Sequence, residues 1–409
     1  MGLTTADGFA DSVAQAAERA RPELVEQLLR LTGIDAPSGN AVGLAAAADS
    51  FAAELAALGG EVERHTRNGF THLSTRLGPD GDRHVLILCH YDTVWPAGTA
   101  AERPGRFDGE RLSGPGTFDM RGGIVAVLGA LRLLGARRLP VPVQLLLTAD
   151  EEVGSDSSEQ LILDLAGDAS LVLVPEPPLP GGGLKTARKG WSGYTIEVSG
   201  RAAHAGLEPE KGVSAIDELL DILREVLALG DPRLGTTVNI GAISGGTRPN
   251  VVAANASAEI EVRAISEAEQ RRTDEALMAL RATREGATVT LREEHGRPPM
   301  ERTPEVAAAA ERAQQLARLL GLELAEGAAG GTGDANLLAP LHVRLLDGLG
   351  PDGGGAHALH EHVLVDSLVQ RTALIALLLA DAGPASAEQL GRVHHGGELT
   401  VEGCGGGAG

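Results

Sequence analysis

Short apolar runs that end in polar residues recur through the first half of the chain. Val85 to Cys89, Val143 to Thr148 and Leu171 to Val174 each have the length and composition of a buried strand. Further strands are predicted at Glu61 to Arg67 and Thr71 to Leu77, and helices at Phe9 to Thr32 with a candidate break near Pro22, Ala41 to Leu58, Ile124 to Leu134, Glu305 to Leu320 and Leu364 to Ala382. Because strands and helices alternate, the pattern predicts an α/β domain with a mostly parallel sheet flanked by helices.

The order of the predicted elements changes near Lys189. From there the pattern reads strand, helix, strand, strand, helix, strand, which is the order of a ferredoxin-like α+β fold. These elements are Tyr194 to Val198, Gly212 to Leu229, Thr236 to Ala242, Asn255 to Val262, Ser266 to Arg284 and Ala287 to Leu291. We therefore predict a first domain formed by residues 1–188 and 297–382, an inserted domain at 189–296, and a poorly ordered tail at 383–409.

A set of histidines and carboxylates follows the predicted strands, where ligands collect in open α/β sheets. It comprises His90 and Asp92 after the first buried strand, Glu151 and Glu152 after the second, Glu176 after the third, Asp119 before a glycine-rich turn, and His357 in a glycine-rich loop. The set is oxygen-rich and compatible with two zinc ions, with cobalt or manganese as alternatives. Of the two adjacent glutamates, one can bind a metal while the other acts as a base.

Composition and charge narrow the class of partner. The 409 residues are enough for two domains, and a hydrophobic share of 43% indicates a globular protein. The formal net charge of -21 argues against nucleic acid or an anionic membrane as a partner. Met1 to Ala20 lacks the pattern of a secretory signal, and the sequence shows no apolar stretch long enough to span a membrane. We therefore expect a cytoplasmic location.

Nine short motifs occur in the order of a known family. They are HYDTV, GPGTFDMRGG, TADEEVGS, VPEP, AHAG, GGTRPNVV, HGRP, GGTGDAN and GGGAH. Together they resemble the zinc carboxypeptidase and aminoacylase family, which includes carboxypeptidase G, acetylornithine deacetylase and succinyl-diaminopimelate desuccinylase, and they are most similar to the carboxypeptidase G branch. The resemblance implies two zinc ions, one held by His90 and Glu176 and the other by Glu152 and His357, with Asp119 as the bridging ligand, Glu151 as the general base and Asp92 as the partner of His90.

The resemblance also implies roles for residues that do not bind metal. The inserted domain would act as a lid and as the contact surface of a homodimer. His204 would stabilise the transition state, while Asn250 and Arg263 would face the substrate. Arg297 is a candidate for gripping a substrate carboxylate through two hydrogen bonds, and Lys185 is a weaker one. Structural alternatives stay open: a packed loop histidine, an asparagine that closes a turn, an arginine paired with an acidic neighbour, and a surface arginine at the hinge.

These residues predict hydrolysis of an amide next to a C-terminal or N-acylated amino acid, with a small peptide or N-acyl amino acid as substrate. A glutamate-type carboxypeptidase is the leading hypothesis, and an aminoacylase or dipeptidase is the alternative within the class. A dinuclear metallophosphoesterase is disfavoured, because the sequence shows no phosphate-binding loop near the ligands. A metal-binding protein without turnover is also disfavoured, because binding alone needs no free base beside Glu152.

Overall fold

The computed structural model describes residues 3–383 of the chain. All but the first residue of the tail predicted at 383–409 therefore lies outside the described residues. The chain forms two compact units. The first contains the described residues up to Thr186, Arg302–Gly327 and those from Leu341 onward, and the second contains Ala187–Glu301 and Ala328–Pro340. Residues 328–340 thus belong to the second unit, although the sequence placed them in the continuous segment 297–382.

Helices and strands together confirm the α/β class predicted from the sequence. The helices are α1 Leu3–Arg19, α2 Arg21–Thr32, α3 Ala41–Ala56, α4 Thr99–Glu102, α5 Gly122–Leu134, α6 Glu159–Gly167, α7 Ala215–Leu227, α8 Glu267–Met278, α9 Pro304–Leu319, α10 Asp334–Leu337 and α11 Val365–Asp381. The strands are β1 Val62–Arg67, β2 Phe70–Leu77, β3 His84–His90, β4 Arg106–Phe107, β5 Arg111–Ser113, β6 Val143–Thr148, β7 Ala169–Val174, β8 Leu184–Arg188, β9 Gly190–Ser199, β10 Thr237–Gly245, β11 Asn255–Ala264, β12 Thr288–Arg297, β13 Glu326–Ala329, β14 Leu345–Asp347, β15 Gly353–Gly354 and β16 His362–Leu364.

The main sheet of the first unit has the strand order β1-β2-β6-β3-β7-β14-β8-β13. Strand β3 runs parallel to both β6 and β7, and β14 runs parallel to β7, so the centre of the sheet is parallel as predicted. Strands β2 and β8 pair antiparallel on either side of this centre. All residues of β3 and β6 are buried, as expected for a parallel sheet with helices on both faces. The carboxyl ends of β3, β6 and β7 therefore lie at one edge of the sheet.

Helices α5 and α11 form much of the core of this unit. They pack on each other, and most side chains of both are buried. The helix predicted at Phe9 to Thr32, with its candidate break near Pro22, is two helices, α1 and α2, which are separated at Ala20. Pro22 lies in the first turn of α2, where its missing N–H removes no helical hydrogen bond. None of the helices in residues 3–383 combines the length and the apolarity that a membrane crossing needs.

A second sheet of the first unit, with the order β15-β16-β5-β4, was not predicted from the sequence. Strands β15 and β16 pair antiparallel, so that residues 355–361 form the loop of a hairpin that carries His357. Strand β16 also pairs with β5, which ties this hairpin to the segment that leads to Asp119. Each strand has only two or three residues, too few for a periodic apolar pattern.

The second unit contains the predicted ferredoxin-like fold. Its elements β9, α7, β10, β11, α8 and β12 follow in the order βαββαβ, and the strands form an antiparallel sheet with the order β10-β11-β9-β12. Helix α8 ends at Met278 and not at the predicted Arg284. We attribute this to the buried carboxylate of Glu218 on α7, which accepts the backbone N–H groups of Thr283 and Arg284 at 2.6 and 3.0 Å. These amides are therefore unavailable for helical hydrogen bonds.

Candidate active site

The first cluster of candidate ligands lies at the carboxyl ends of two neighbouring strands. His90 is the last residue of β3 and is buried, and Glu176 follows the end of β7. The Nε2 atom of His90 is 3.2 Å from Oδ1 of Asp119 and 3.4 Å from Oε1 of Glu176. One ligand atom from each of the three residues lies within 4.8 Å of the others, a spacing at which one metal ion can bind all three. We call His90, Asp119 and Glu176 the first metal group.

A second cluster shares Asp119 with the first. Glu152 lies in the short helical turn Glu151–Val153 that follows β6, and His357 lies in the hairpin loop. The Nε2 atom of His357 is 3.3 Å from Oδ2 of Asp119 and 3.3 Å from Oε2 of Glu152. We call Asp119, Glu152 and His357 the second metal group. Asp119 thus presents one carboxylate oxygen to each group, which is the geometry of a bridging ligand.

The donor atoms of both groups fit divalent metal ions. Burial raises the pKa of Glu152, and its Oε1 atom is buried without a hydrogen-bond partner among the described residues. A cation at the second metal group would satisfy this oxygen, because a buried polar atom is costly when it is left unpaired. Imidazole nitrogens combined with carboxylate oxygens suit zinc and neighbouring first-row metals.

The same carboxylates create a negative field at both histidines. The carboxylates of Asp119 and Glu152, which accept hydrogen bonds from the His357 ring, raise its pKa to about 10. Burial alone would lower the pKa of His90, but three neighbouring carboxylates outweigh it and raise the pKa well above its ordinary value. Since a proton and a metal ion compete for the same ring nitrogen, this field favours a cation at each group.

Asp92 lies beside the second ring nitrogen of His90. The Nδ1 atom is 3.1 Å from the backbone oxygen of Asp92 and 3.4 Å from its Oδ1. A hydrogen on Nδ1 leaves Nε2 able to bind a metal. The carboxylate of Asp92 also accepts the hydroxyl of Ser38 at 2.7 Å and the backbone N–H groups of Glu151 and Glu152 at 3.3 Å each. Asp92 therefore orients both the histidine and the acidic turn, and the contribution of Ser38 was not foreseen from the sequence.

A buried hydrogen-bond network holds the residue that precedes Glu151. His72 Nδ1 accepts the backbone N–H of Ala149 at 3.2 Å, so Nε2 carries the ring hydrogen and donates it to Ser157 at 3.0 Å. Ser157 donates in turn to Oδ2 of Asp150 at 2.6 Å. These are the residue types of a nucleophilic triad, but the serine donates to the carboxylate and not to the histidine, so it is not activated. The network instead fixes the backbone just before the candidate base.

The turn from Asp119 to Gly123 packs directly against the end of β7. A Cβ atom on Gly123 would lie 1.9 Å from the backbone oxygen of Pro175, so only glycine permits this approach. The sulfur of Met120 accepts the backbone N–H of His90 at 3.1 Å. Through these two contacts, Asp119 lies close to the ends of both β3 and β7.

His204 and Asn250 lie in adjacent, exposed loops of the second unit. The backbone N–H of Ala205 donates to the backbone oxygen of Asn250 at 3.0 Å. The Nδ1 atom of His204 accepts the backbone N–H groups of Gly206 and Leu207 at 3.1 and 3.2 Å. The hydrogen of the neutral ring is therefore on Nε2, and an Nε2–H donor is what stabilisation of an oxyanion requires.

The arginine candidates form ion pairs within the second unit. The Nε atom of Arg263 is 2.7 Å from Oε1 of Glu261, which is the acidic-neighbour alternative considered from the sequence. Arg297 is buried and not at the surface, and its Nη2 atom is 3.4 Å from Oδ1 of Asp334. Lys185 lies in the first unit, on β8. Asp334 was not foreseen as the partner of Arg297, because the two residues lie far apart along the chain.

Comparison with known families decides the class of protein. The model of Peptidase family M20/M25/M40 matches residues 86–381 of the chain. The chain belongs to that family. The matched range contains both metal groups, and the family resemblance drawn from the nine motifs is confirmed. This M20 peptidase is a hydrolytic enzyme, which removes the phosphoesterase and the binding protein from the alternatives.

Individual relatives agree with this membership. The M20 peptidase is 30% identical to carboxypeptidase G2 from Pseudomonas sp. (strain RS-16) over 390 residues, which is 90% of this chain and 91% of the relative. Its fold is similar to that of a tripeptidase from Staphylococcus aureus, with a TM-score of 0.74, 22% identity, and coverage of 88% of this chain and 98% of that chain. It is also similar to a dinuclear metal-binding M20 peptidase from Bacillus subtilis, with a TM-score of 0.65, 16% identity, and coverage of 89% and 98%.

Proposed function

We propose that this M20 peptidase is a dinuclear zinc hydrolase that cleaves the amide bond next to a C-terminal, glutamate-type residue of a small peptide or N-acyl amino acid. The observation that carries the proposal is Asp119, whose two carboxylate oxygens lie 3.2 and 3.3 Å from the Nε2 atoms of His90 and His357. The extensive similarity to carboxypeptidase G2 supports the substrate class, and the Bacillus subtilis structure supports two ions. A deacylase of N-acyl amino acids or a dipeptidase is the alternative.

The residues of the site supply the steps of a hydrolysis without a covalent intermediate. When bound, zinc ions at the two metal groups would polarise the amide carbonyl and lower the pKa of a water molecule toward about 7. Glu151 accepts a proton from the attacking water and later donates it to the leaving amine. Asp92 holds the backbone N–H of Glu151, so the base starts from a fixed position. His204 donates its Nε2–H to the oxyanion.

Arg297 is the residue that we propose for recognition of the substrate carboxylate. A buried guanidinium needs a negative partner, and Asp334 provides one at 3.4 Å. The planar guanidinium carries several N–H donors in a fork that matches the two oxygens of a carboxylate, which is the geometry we propose for the substrate. Asn250 and Arg263 would add polar contacts to the substrate, and Lys185 is a weaker candidate for the same carboxylate.

A panel of substrates tests the proposed activity. The zinc-loaded protein is incubated with N-acyl glutamates, N-acetyl derivatives of other amino acids, dipeptides, and the α-carboxamides of the same compounds. We expect the N-acyl glutamates to have the highest kcat/KM and the carboxamides to be poor substrates. Faster hydrolysis of the N-acetyl amino acids or of the dipeptides would instead favour the deacylase or dipeptidase alternative.

Replacement of Arg297 tests the source of that specificity. Arg297→Ala is expected to lower kcat/KM for the free acid by about 100-fold, since loss of a buried charged hydrogen bond costs about 2–5 kcal/mol. Activity on the carboxamide should change little, and Arg297→Lys should recover only part of the loss because a point charge lacks the fork geometry. Arg302→Ala, which removes the exposed ion pair with Glu326 at 2.7 Å, is the control. Equal losses on acid and carboxamide would show that Arg297 does not bind the carboxylate.

Metal analysis tests the number of ions. Because the two groups share Asp119 but have separate histidines, we expect the purified protein to bind two equivalents of zinc and a chelator to abolish hydrolysis. Element analysis after dialysis against metal-free buffer gives the stoichiometry, and addition of zinc, cobalt or manganese then compares the ions. Full activity with a single tightly bound ion would contradict the dinuclear assignment.

We also propose a homodimer that forms through the second unit. Strand β10 is at the edge of its sheet and exposes Ile243. Helix α7 exposes Ile216, Leu220 and Leu227, which lie on one side of the helix at spacings of four and seven residues. An open strand edge combined with exposed apolar side chains is typical of a surface that a partner covers.

A further inference from the structure

Two separate loops meet at the bridging candidate Asp119. One is the segment from Gly114 to Asp119, and the other is the hairpin loop that begins at Gly355 and carries His357. Glu361 lies at the end of the hairpin loop and is only 1% exposed. Its Oε1 atom accepts the backbone N–H groups of Phe118 and Asp119 at 3.0 and 3.1 Å. One buried carboxylate thus connects the hairpin directly to the backbone of the bridging residue.

The second oxygen of Glu361 extends the same connection. It accepts the backbone N–H of Gly116 at 2.8 Å and the indole N–H of Trp95 at 2.9 Å. Arg103 stacks over the Trp95 ring at 4.6 Å and donates to the backbone oxygen of Leu359 at 2.6 Å. The carboxylate therefore has four N–H donors, three of them from the loop of Asp119, and Arg103 braces the hairpin from the other side.

This arrangement constrains a distance that the metal groups require. His357 lies four residues before Glu361 in the same short loop. Asp119 is held by the hydrogen bond that its backbone N–H donates to the Glu361 carboxylate. The carboxylate consequently fixes the separation between the shared ligand and the histidine of the second metal group. A buried carboxylate with a purely structural role could accept hydrogen bonds from any neighbouring N–H groups. Glu361 differs because one of its donors is the backbone N–H of Asp119, which is itself a candidate metal ligand.

We propose that Glu361 is a positioning residue that holds Asp119 and His357 at the separation needed for the second metal ion. The inference rests on the proposed dinuclear function. Asp119 is common to both metal groups, but the other two residues of the first group, His90 and Glu176, are supported by the ends of β3 and β7, whereas His357 of the second group lies in the hairpin loop itself. Loss of the Glu361 carboxylate should therefore weaken the second ion selectively and leave the first in place.

Glu361→Gln is the central test, because the amide keeps the size of the side chain but places an NH₂ donor against N–H donors. Zinc alone is titrated against a chromophoric chelator. We expect the first equivalent to bind as in the wild type and the second to bind about 10- to 100-fold more weakly, the range found when residues behind metal ligands are changed. The kcat should fall with occupancy, KM should stay within about threefold, and excess zinc should restore kcat. Trp95→Phe, which removes one donor, should shift the second equivalent less.

Glu218→Gln is the matched control. Glu218 is a buried carboxylate of the second unit that also accepts two backbone N–H groups, from Thr283 and Arg284. Both variants should lower the melting temperature, but only Glu361→Gln should alter zinc binding. If both equivalents weaken equally in Glu361→Gln, or if zinc does not restore kcat, Glu361 has only a general structural role and the inference is overturned.

The zinc titration also separates this inference from the proposed function. If the wild type binds two ions and Glu361→Gln binds both with unchanged affinity, the positioning role fails and the dinuclear hydrolase stands. If the wild type hydrolyses none of the panel, but the second equivalent is selectively weakened in Glu361→Gln, the positioning role stands and the proposed substrate class fails.

Discussion

Glu151→Gln is expected to lower kcat by at least about 100-fold, the usual consequence of losing a general base, while both metal ions stay bound. The substitution preserves the volume of the side chain and leaves every residue of the two metal groups unchanged. The backbone N–H of residue 151 would still donate to Asp92, so the turn should keep its position. Single-turnover hydrolysis and metal content measured on the same preparation test this expectation. Near-native turnover by the variant would place the base elsewhere.

Glu152→Gln is the matched comparison, because it makes the same chemical change at the next residue. The Oε2 atom of Glu152 lies 3.3 Å from Nε2 of His357 and belongs to the second metal group. This variant should therefore lose one equivalent of metal, whereas Glu151→Gln should keep both. If the two variants keep the same metal content, the roles assigned to the two neighbours are wrong.

His204→Ala is expected to reduce kcat by about 100- to 1000-fold, the loss measured when one donor to an oxyanion is removed. All residues of the two metal groups belong to the first unit, whereas His204 belongs to the second. The family resemblance implies that each subunit lends this histidine to the site of its partner. In such a dimer, the Glu151→Gln and His204→Ala homodimers are both nearly inactive.

Mixing these two variants tests the shared site. After subunit exchange, each heterodimer would contain one site with native Glu151 from one chain and native His204 from the other. Random exchange at equal concentrations should restore about a quarter of the wild-type activity, since half of the dimers are mixed and half of their sites are intact. If His204 acted within its own chain, every site would keep one defect. Exchange without recovery, or a monomer in light scattering, would exclude the shared site.

The sequence pointed to His90, Glu152 and Glu176 because each lies just beyond or at the end of a recognisable strand. Val143 to Thr148 was predicted with its observed bounds, and the run that ends before His90 was placed within one residue at each end. Apolar runs of five or six residues at the centre of a parallel sheet are buried on both faces, so their composition alone identifies them. The polar residue that follows such a run is then delivered to the sheet edge. The cytoplasmic location, in contrast, stays a prediction.

Two kinds of feature could not be predicted from the sequence: very short strands, and contacts between residues that are far apart along the chain. Strands of two or three residues around His357 carry no periodic pattern, and the early end of α8 depends on the carboxylate of Glu218 on another helix. Arg297 could be read as a hinge arginine, but its burial and its pairing with Asp334 follow from packing. Local helix and strand propensities cannot predict contacts such as those of Glu218 and Arg297, because they describe only residues that are close along the chain.

The sequence by itself determined the fold class, the order of the elements and the residue types at the ends of the strands. Only the tertiary structure decided how those residues are held. Ser38 reaches Asp92 across 54 positions of the chain, and Glu361 reaches Asp119 across 242. Periodicity and turn propensity describe neighbours within a few residues, whereas a hydrogen bond between distant segments exists only after packing has brought their backbones together.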